Sequence, residues 1–172
     1  YVFRDGPTGW TQEAKLTASD GAVNDLFGNA VAVHGNTVVI GAVFADVDDY
    51  LAFDSGRGAG SAYVFRYDGN TWVEEAKLIP LGSLSPRRIT AGDNFGRSVA
   101  VYDDNAIVGT NVSDDDTDID VGLAYDFRLG RTGLTHEAKS TASDRQGGDR
   151  FGIAVRVCSG CFFLSLSWFV SS

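Results

Sequence analysis

The chain has 172 residues, about the length of one domain, and its 44% hydrophobic and 22% charged residues are ordinary for a globular protein. Its 14 Lys and Arg against 23 Asp and Glu give a formal net charge of −9, which argues against nucleic acid as a partner because a phosphate-binding surface is basic. With two cysteines, a disulfide framework is excluded as well.

Two phrases recur at a constant interval. A Tyr-x-Phe-Arg phrase begins at Tyr1, Tyr63 and Tyr125, so the copies lie 62 residues apart, and a Glu-Ala-Lys phrase follows each copy at the same interval. Segments 1–20 and 125–144 share 14 of 20 residues. The chain therefore contains an internal duplication, which must be recognised before any fold is assigned.

A third phrase, Asp-x-Phe-Gly, precedes an alternating apolar run in each copy. We expect its aspartates to hold the turn into a strand and its glycines to allow a close backbone approach. The phrase is therefore interpreted as structural, and its residues are Asp25, Phe27, Gly28, Asp93, Phe95, Gly96, Asp149, Phe151 and Gly152.

Each repeat has the period of β-strands and predicts four of them. In the best-defined copy they run over residues 27–33, 37–44, 60–66 and 71–78, with tight turns at His34-Gly35-Asn36 and at Asp68-Gly69. Glu, Ala, Lys and Leu favour helix, but the preceding Thr-Trp-Val and the short turn favour a strand for the last segment. Four antiparallel strands in about 40 to 60 residues are typical of a propeller blade.

The blades are predicted in chain order. Residues 1–16 form the second half of a blade, 27–79 and 95–139 form two full blades, and 151–172 begin a further blade. The phrases Phe27-Gly28, Ile40–Phe44 with its weaker copy Val108–Val112, and Ala62–Arg66 resemble the FG-GAP repeats of integrin-alpha-type β-propellers. The resemblance extends from Tyr1 to about Val157.

This resemblance implies an all-β fold, a partial β-propeller that forms an open arc of four-stranded antiparallel blades with about 62 residues per repeat. Closure of three blades by the front and rear strands is the alternative, which is disfavoured because propellers need at least about four blades. An open arc exposes apolar faces and strand edges, so we expect it to self-associate.

The sequence suggests calcium as a cofactor, in an unusual place. Integrin-type repeats carry a calcium loop between their FG and GAP phrases, but here that place holds His34-Gly35-Asn36 or Tyr102–Asn105. Carboxylates cluster instead in two long loops and suit calcium, or they form solvated acidic loops that keep the protein soluble. The candidate ligands are Asp46, Asp48 and Asp54 in one loop and Asp114, Asp116, Asp118 and Asp120 in the other.

After Val157 the repeat pattern breaks. Segment 158–172 is interpreted as a truncated or mis-joined end, or residues 162–170 within it as a degenerate second strand. A membrane anchor is disfavoured because the apolar run is well short of the roughly 20 residues of a span. We therefore expect no membrane span in this chain. Cys158 and Cys161 lack the further ligands of a zinc site and the βαβ setting of a redox motif.

Asn111-Val112-Ser113 is a glycosylation sequon.

The function predicted is a non-catalytic one. No Gly-x-Ser-x-Gly elbow or phosphate loop is present, neither histidine recurs between repeats, and His136 is expected on a solvated strand face. Because successive strands of a meander run in opposite directions, every long loop lies at one end of the blades. Long loops on a rigid scaffold are where binding sites usually lie. The resemblance implies an adhesion or binding module of an extracellular or cell-surface protein, with a protein or glycan ligand. The alternative is a propeller that accompanies a catalytic domain outside this chain.

Overall fold

The computed structural model describes residues 1–47, 58–80, 92–112, 120–130, 133–159 and 161–165. All regular secondary structure in these ranges is β-strand. The strands are β1 (Val2–Gly6), β2 (Gly9–Ala14), β3 (Phe27–His34), β4 (Thr37–Ala42), β5 (Ser61–Tyr67), β6 (Trp72–Leu78), β7 (Ser98–Tyr102), β8 (Asn105–Thr110), β9 (Leu123–Gly130), β10 (Gly133–Ser140), β11 (Ala154–Cys158) and β12 (Cys161–Ser165).

The strands form four antiparallel sheets. The order β3-β4-β5-β6 gives the first blade and β7-β8-β9-β10 gives the second, each a simple meander. The two-stranded sheet β1-β2 is the front half-blade and β11-β12 is the rear half-blade. The predicted fold class is confirmed: the chain is an open arc of a β-propeller. Its two complete sheets span residues 27–78 and 98–140, and the second ends one residue beyond the predicted segment 95–139.

Neighbouring blades pack face to face through their innermost strands. β3 contacts β7, and β7 in turn contacts β11. Alternation along each strand sends one set of side chains to each side of the blade, so Val39 and Val64 of the first blade meet Val99, Val108 and the other apolar residues of the second in one buried cluster. A second cluster joins the first blade to Leu16 and Ala18, which come after the front half-blade.

The Glu-Ala-Lys phrase recurs because its glutamate forms a β-bulge. The pairing of β6 with β5 skips Glu75, since Ala76 lies opposite Val64 while Glu74 lies opposite Phe65. The same shift leaves out Glu13 and Glu137. A bulge twists the strand and re-aims a side chain. Each bulged glutamate accepts a hydrogen bond from the arginine of the Tyr-x-Phe-Arg phrase, in the pairs Arg4–Glu13, Arg66–Glu75 and Arg128–Glu137.

The Asp-x-Phe-Gly phrase is the point where one blade touches the blade before it. The Phe95 amide donates to the Ala59 carbonyl at 2.9 Å, and the Phe151 amide donates to the Val121 carbonyl at 2.7 Å. The acceptors directly precede Gly60 and Gly122, after which β5 and β9 of the preceding blade begin. These bonds link backbone to backbone between blades, and at the first junction Gly60 and Phe95 form an isolated parallel β-bridge.

Glycine makes this approach sterically allowed. A Cβ atom on Gly41 of β4 would lie 2.1 Å from the Gly96 carbonyl oxygen, and one on Gly109 of β8 would lie 2.0 Å from that of Gly152. Real Cβ atoms do not approach oxygen so closely, and the atom that would have to move belongs to the backbone. The Gly-Ala phrase of the repeat therefore serves the blade junction rather than its own strand, where glycine weakens pairing.

The rear half-blade contains the segment in which the repeat pattern breaks. β11 and β12 pair from Ala154 with Ser165 to Cys158 with Cys161. This pairing favours the interpretation of the segment as a degenerate second strand, at least for residues 161–165; residues 166–172 lie outside the described part. Cys158 is disulfide-bonded, a local bridge rather than a framework.

Substitution of Gly41 tests the blade junction. We expect Gly41→Ala to lower the free energy of unfolding by about 3 kcal/mol, because overpacking against an immobile carbonyl forces blades apart. The matched control is Gly6→Ala, whose Cβ would be 3.8 Å from the nearest atom and should change stability by no more than about 0.5 kcal/mol. Urea unfolding of both variants measures the difference; equal stabilities would show that the junction tolerates a side chain.

Candidate functional site

Topology divides the connections of the arc between two ends. In an antiparallel meander, successive connections emerge at alternate ends, so the tight turns 35–36, 68–71 and 103–104 lie at one end. The long connections lie at the other, which we call the loop face. Its described residues are 15–26, 43–47, 58–60, 79–80, 92–97, 111–112, 120–122 and 141–153. A rigid scaffold that gathers its long loops at one end is a common setting for a binding site.

The aspartates of the Asp-x-Phe-Gly phrase hold turns on this face. Asp25 Oδ2 accepts a hydrogen bond from the Ala22 amide at 2.7 Å, and Asp149 Oδ2 accepts one from the Gln146 amide at 2.6 Å. Asp93 is buried at the same position of the second blade. The residue after each aspartate adopts a left-handed conformation, seen at Leu26, Asn94 and Arg150. These carboxylates are therefore occupied in shaping the loop.

A polar clasp joins the loop after the front half-blade to the first blade. The Tyr63 hydroxyl donates to Asp20 Oδ1 at 2.8 Å, and Lys77 Nζ donates to Asp20 Oδ2 at 2.6 Å. Beside them, the backbone amide and the hydroxyl of Ser19 both donate to the Glu74 carboxylate at 2.8 Å. The Thr-Ala-Ser-Asp phrase thus binds the third and fourth strands of the following blade, a role that the sequence pattern did not predict although the phrase recurs.

The electrostatics of the clasp favour its charged form. Burial raises the pKa of Tyr63, and the hydrogen bond to Asp20 raises it further, so this hydroxyl remains a donor. Burial would also raise the pKa of Asp20, but the hydrogen bonds from Lys77 and Tyr63 outweigh it and hold that pKa below its ordinary value of 3.8. At neutral pH the clasp is a carboxylate with two donors.

An apolar patch lies beside the clasp on the loop face. Val23 is 89% exposed, and Leu26 and Phe44 are about half exposed. The Phe44 amide donates to the Asp25 carbonyl at 3.2 Å, which brings the segment after β4 against the segment before β3. Large apolar side chains on a soluble surface mark interaction sites when they are grouped.

The acidic loops are described only at their margins. Asp46 Oδ1 accepts a hydrogen bond from the Gly58 amide at 2.8 Å and closes the base of its loop. Asp120 has a left-handed backbone with φ of 57°. Within the described residues no group of three or more potential metal ligands comes together. The other candidate ligands, Asp48, Asp54, Asp114, Asp116 and Asp118, lie outside the described residues, so calcium binding stays a prediction.

Two further predicted positions are resolved. Asn111 is half-buried, and its Oδ1 accepts a hydrogen bond from Asn94 Nδ2 at 3.4 Å; glycosylation there stays a prediction. The expectation that His136 lies on a solvated strand face is wrong. Its ring is half-buried against Tyr125 and Phe127, and burial lowers its pKa.

Comparison with known protein families matches the sequence repeat directly. The family model described as FG-GAP repeat matches residues 10–65 and again residues 72–127, together more than half of the chain. The chain belongs to the FG-GAP repeat family. A comparison with curated protein sequences found no match.

The FG-GAP repeat is offset from the structural blade. The first matched segment runs from β2 into β5, and the second runs from β6 into β9. Each sequence unit therefore joins the last strand of one blade to the first three strands of the next. The unit therefore includes the clasp segment and the Asp-x-Phe-Gly phrase, the two elements that connect blades. In the part of the chain that the structure describes, no helix is long and apolar enough to cross a membrane.

Asp20→Asn tests the clasp. We expect a loss of about 1 kcal/mol in the free energy of unfolding at neutral pH, less than a buried charged pair because the Asp20 side chain is 48% exposed. Since the folded pKa of Asp20 is lowered, its contribution is complete above pH 3.8 and disappears as the pH falls through the lower folded value. The gap between the parent and the variant should therefore close in acid.

The control for this prediction is Asp144→Asn, the same residue two repeats later, which is exposed. The free energy of unfolding of Asp144→Asn should equal that of the parent. Chemical denaturation at neutral and acidic pH measures both variants, and a gap for Asp20→Asn that is constant with pH would contradict the assignment.

Proposed function

We propose that this chain is a non-catalytic binding or adhesion module of a larger extracellular or surface protein, which engages a protein or glycan ligand through the loop face. The observation that carries the proposal is the exposed apolar patch of Val23, Leu26 and Phe44 at the end where the long connections lie. The family supplies the scaffold, and the patch supplies a surface that favours contact with a partner.

The geometry of the loop face supports binding rather than catalysis. The carboxylates of Asp20, Asp25 and Asp149 accept hydrogen bonds that fix loop conformation. A loop fixed in this way loses little conformational entropy when a partner binds. Asp126 and His136 lie on strands β9 and β10 and not in the loops of this face. Burial raises the pKa of Asp126 and lowers the pKa of His136, so both side chains are shifted towards their neutral forms.

Substitution of the apolar patch tests the proposed function. The probes are a glycan array and an array of purified cell-surface and matrix protein ectodomains, with the 172-residue chain as the analyte. We expect Val23→Ser with Phe44→Ser to lower binding to any positive probe about tenfold or more, as loss of a central apolar contact does. The control is Val73→Ser, which is half exposed at the tight-turn end of β6.

Two outcomes would contradict the proposal. One is the absence of binding to every probe on both arrays. The other is binding that the loop-face variant and the Val73→Ser control affect equally, because contact would then not lie at the loop face. Thermal melting of both variants checks that their folds are intact.

Calcium is proposed as an ordering ligand of the acidic loops. Calorimetry at physiological salt should give a saturable heat with a dissociation constant of about 10⁻⁴ to 10⁻³ M. Asp116→Asn with Asp118→Asn should abolish it, while the matched pair Asp103→Asn with Asp104→Asn, in the tight turn after β7, should not. The absence of a saturable heat, or a heat that both pairs of substitutions lower equally, would contradict calcium binding. The loops would then be solvated acidic segments.

A further inference from the structure

The two complete blades differ at one cross-strand pair near their tight-turn end. By the repeat interval of 62 residues, Trp72 is equivalent to Leu134, and Tyr67 is equivalent to Leu129. Trp72 lies opposite Tyr67 across β6 and β5, and Leu134 lies opposite Leu129 across β10 and β9. An aromatic pair of the first blade is therefore a leucine pair in the second, on the face that each blade turns to the blade before it.

The indole of Trp72 bridges the first blade and the front half-blade. Its ring packs against the buried cluster of the first blade and lies 5.4 Å from the Tyr67 ring, centroid to centroid. Its Nε1 donates at 2.8 Å to Oε1 of Glu13, the bulged glutamate of the front half-blade. Arg4 donates to the same carboxylate, and its guanidinium carbon lies 5.4 Å from the centre of the Tyr67 ring. Between these blades, an indole is held by apolar contact and by a carboxylate.

The junction between the first and second blades keeps the polar half of this arrangement. Glu75 is the equivalent of Glu13 and Arg66 is the equivalent of Arg4, and Arg66 Nε donates to Glu75 Oε2 at 2.5 Å. The residue that would supply the indole is Leu134, whose side chain has no N–H group. Glu75 therefore does not receive from this position the hydrogen bond that Glu13 receives.

A cavity lies at the place that the indole occupies in the earlier junction. Its volume is about 110 Å³, and both complete blades contribute to its lining, which consists of Val64, Glu75, Ala76, Leu129, Gly130 and Leu134. Val64 and Leu129 are buried, whereas Leu134 is 37% exposed, so the cavity opens to solvent beside Leu134. An apolar cavity of about 150 Å³ binds one benzene ring. An open cavity of comparable size accommodates an aromatic ring with one edge in solvent.

We propose that the cavity between the two complete blades binds an indole ring, whose N–H donates to the Glu75 carboxylate. The bound ring takes the place that the Trp72 side chain takes at the preceding junction. Burial of the ring against Val64 and Leu129 supplies affinity, and the hydrogen bond to a charged acceptor selects rings that carry an N–H donor. The cavity lies at the tight-turn end of the blades, so this site is separate from the loop face and does not rest on the function proposed there.

Titration with indole, followed by nuclear magnetic resonance of labelled leucine and valine methyl groups, tests the site. The methyl signals of Val64, Leu129 and Leu134 should shift to saturation. The methyl signals of Val38, which belongs to the cluster on the opposite face of the first blade, should not shift.

A second ligand, N-acetyltryptophanamide, distinguishes the two sources of the ring. Binding of both ligands indicates a ring presented by the tryptophan of a polypeptide, whereas binding of indole alone indicates a free small molecule. Either result supports the site.

The role of Glu75 is tested by removing the donor and the acceptor in turn. The parent should bind 1-methylindole, which has no N–H, about tenfold more weakly than indole, as loss of a hydrogen bond to a charged group predicts. Glu75→Ala should weaken indole binding by a similar factor and should bind the two ligands equally. The matched control is Glu137→Ala, which removes the bulged glutamate of the second blade and should leave indole binding unchanged.

Filling the cavity is the last test. Leu134→Trp places an indole of the chain itself in the cavity and should abolish binding of added indole. Its control is Thr135→Trp, which places the same ring on the opposite face of β10 and should leave binding unchanged. Thermal melting checks that both variants are folded.

Three results would overturn the proposal. The first is that neither indole nor N-acetyltryptophanamide gives a saturable shift at the cavity. The second is that the parent binds 1-methylindole and indole equally, since the cavity would then be a non-specific apolar site. The third is that a folded Leu134→Trp variant still binds indole as the parent does.

Discussion

The close backbone contact between successive blades is the constraint on which the arc depends. The Phe95 and Phe151 amides each donate to a carbonyl of the preceding blade, and glycines on both sides keep Cβ atoms out of the contact. A bulky residue at Gly41 or Gly109 would hold the blades apart and leave the cluster around Val39 and Val108 incompletely packed. The FG and Gly-Ala phrases, which name the family, are therefore the two surfaces of one joint.

The recurring polar residues arrange the blade around this joint. The glutamate of each Glu-Ala-Lys phrase bulges from the fourth strand and pairs with the arginine of the third, which sets the local twist. These pairs are exposed and contribute little stability. Their value lies in geometry, since the same segment continues into the loop that places Asp20 against Tyr63 and Lys77. Within each repeat the bulged fourth strand leads into the connecting loop, and this loop leads into the Asp-x-Phe-Gly phrase at the blade junction. Each blade therefore fixes the position of its own part of the loop face.

Local pattern was enough to predict the strands and the four-stranded blades, because alternation and Asp-Gly turns are read within a few residues. The open arc was predicted from the repeat interval of 62 residues and from the resemblance to FG-GAP repeats. The clasp could not be predicted, since its bonds join residues 43 and 57 positions apart and recurrence alone does not name a partner. Likewise Gly60 and Gly122 recur visibly before a strand, but the reason for glycine comes from the next blade. The position of His136 was predicted wrongly because its equivalents at the repeat interval, Gln12 and Glu74, are polar and gave no sign of the aromatic rings of β9.

Hydrogen exchange at the blade joints is the most direct test of this account. If the blades form one continuous arc, the Phe95 and Phe151 amides should be protected to the level of the central strands β4 and β8, because their bonds to the preceding blade break only when the arc opens. Exchange of these two amides at the rate of exposed loop amides, with β4 and β8 still protected, would contradict it. The blades would then be separate sheets joined by covalent connections alone.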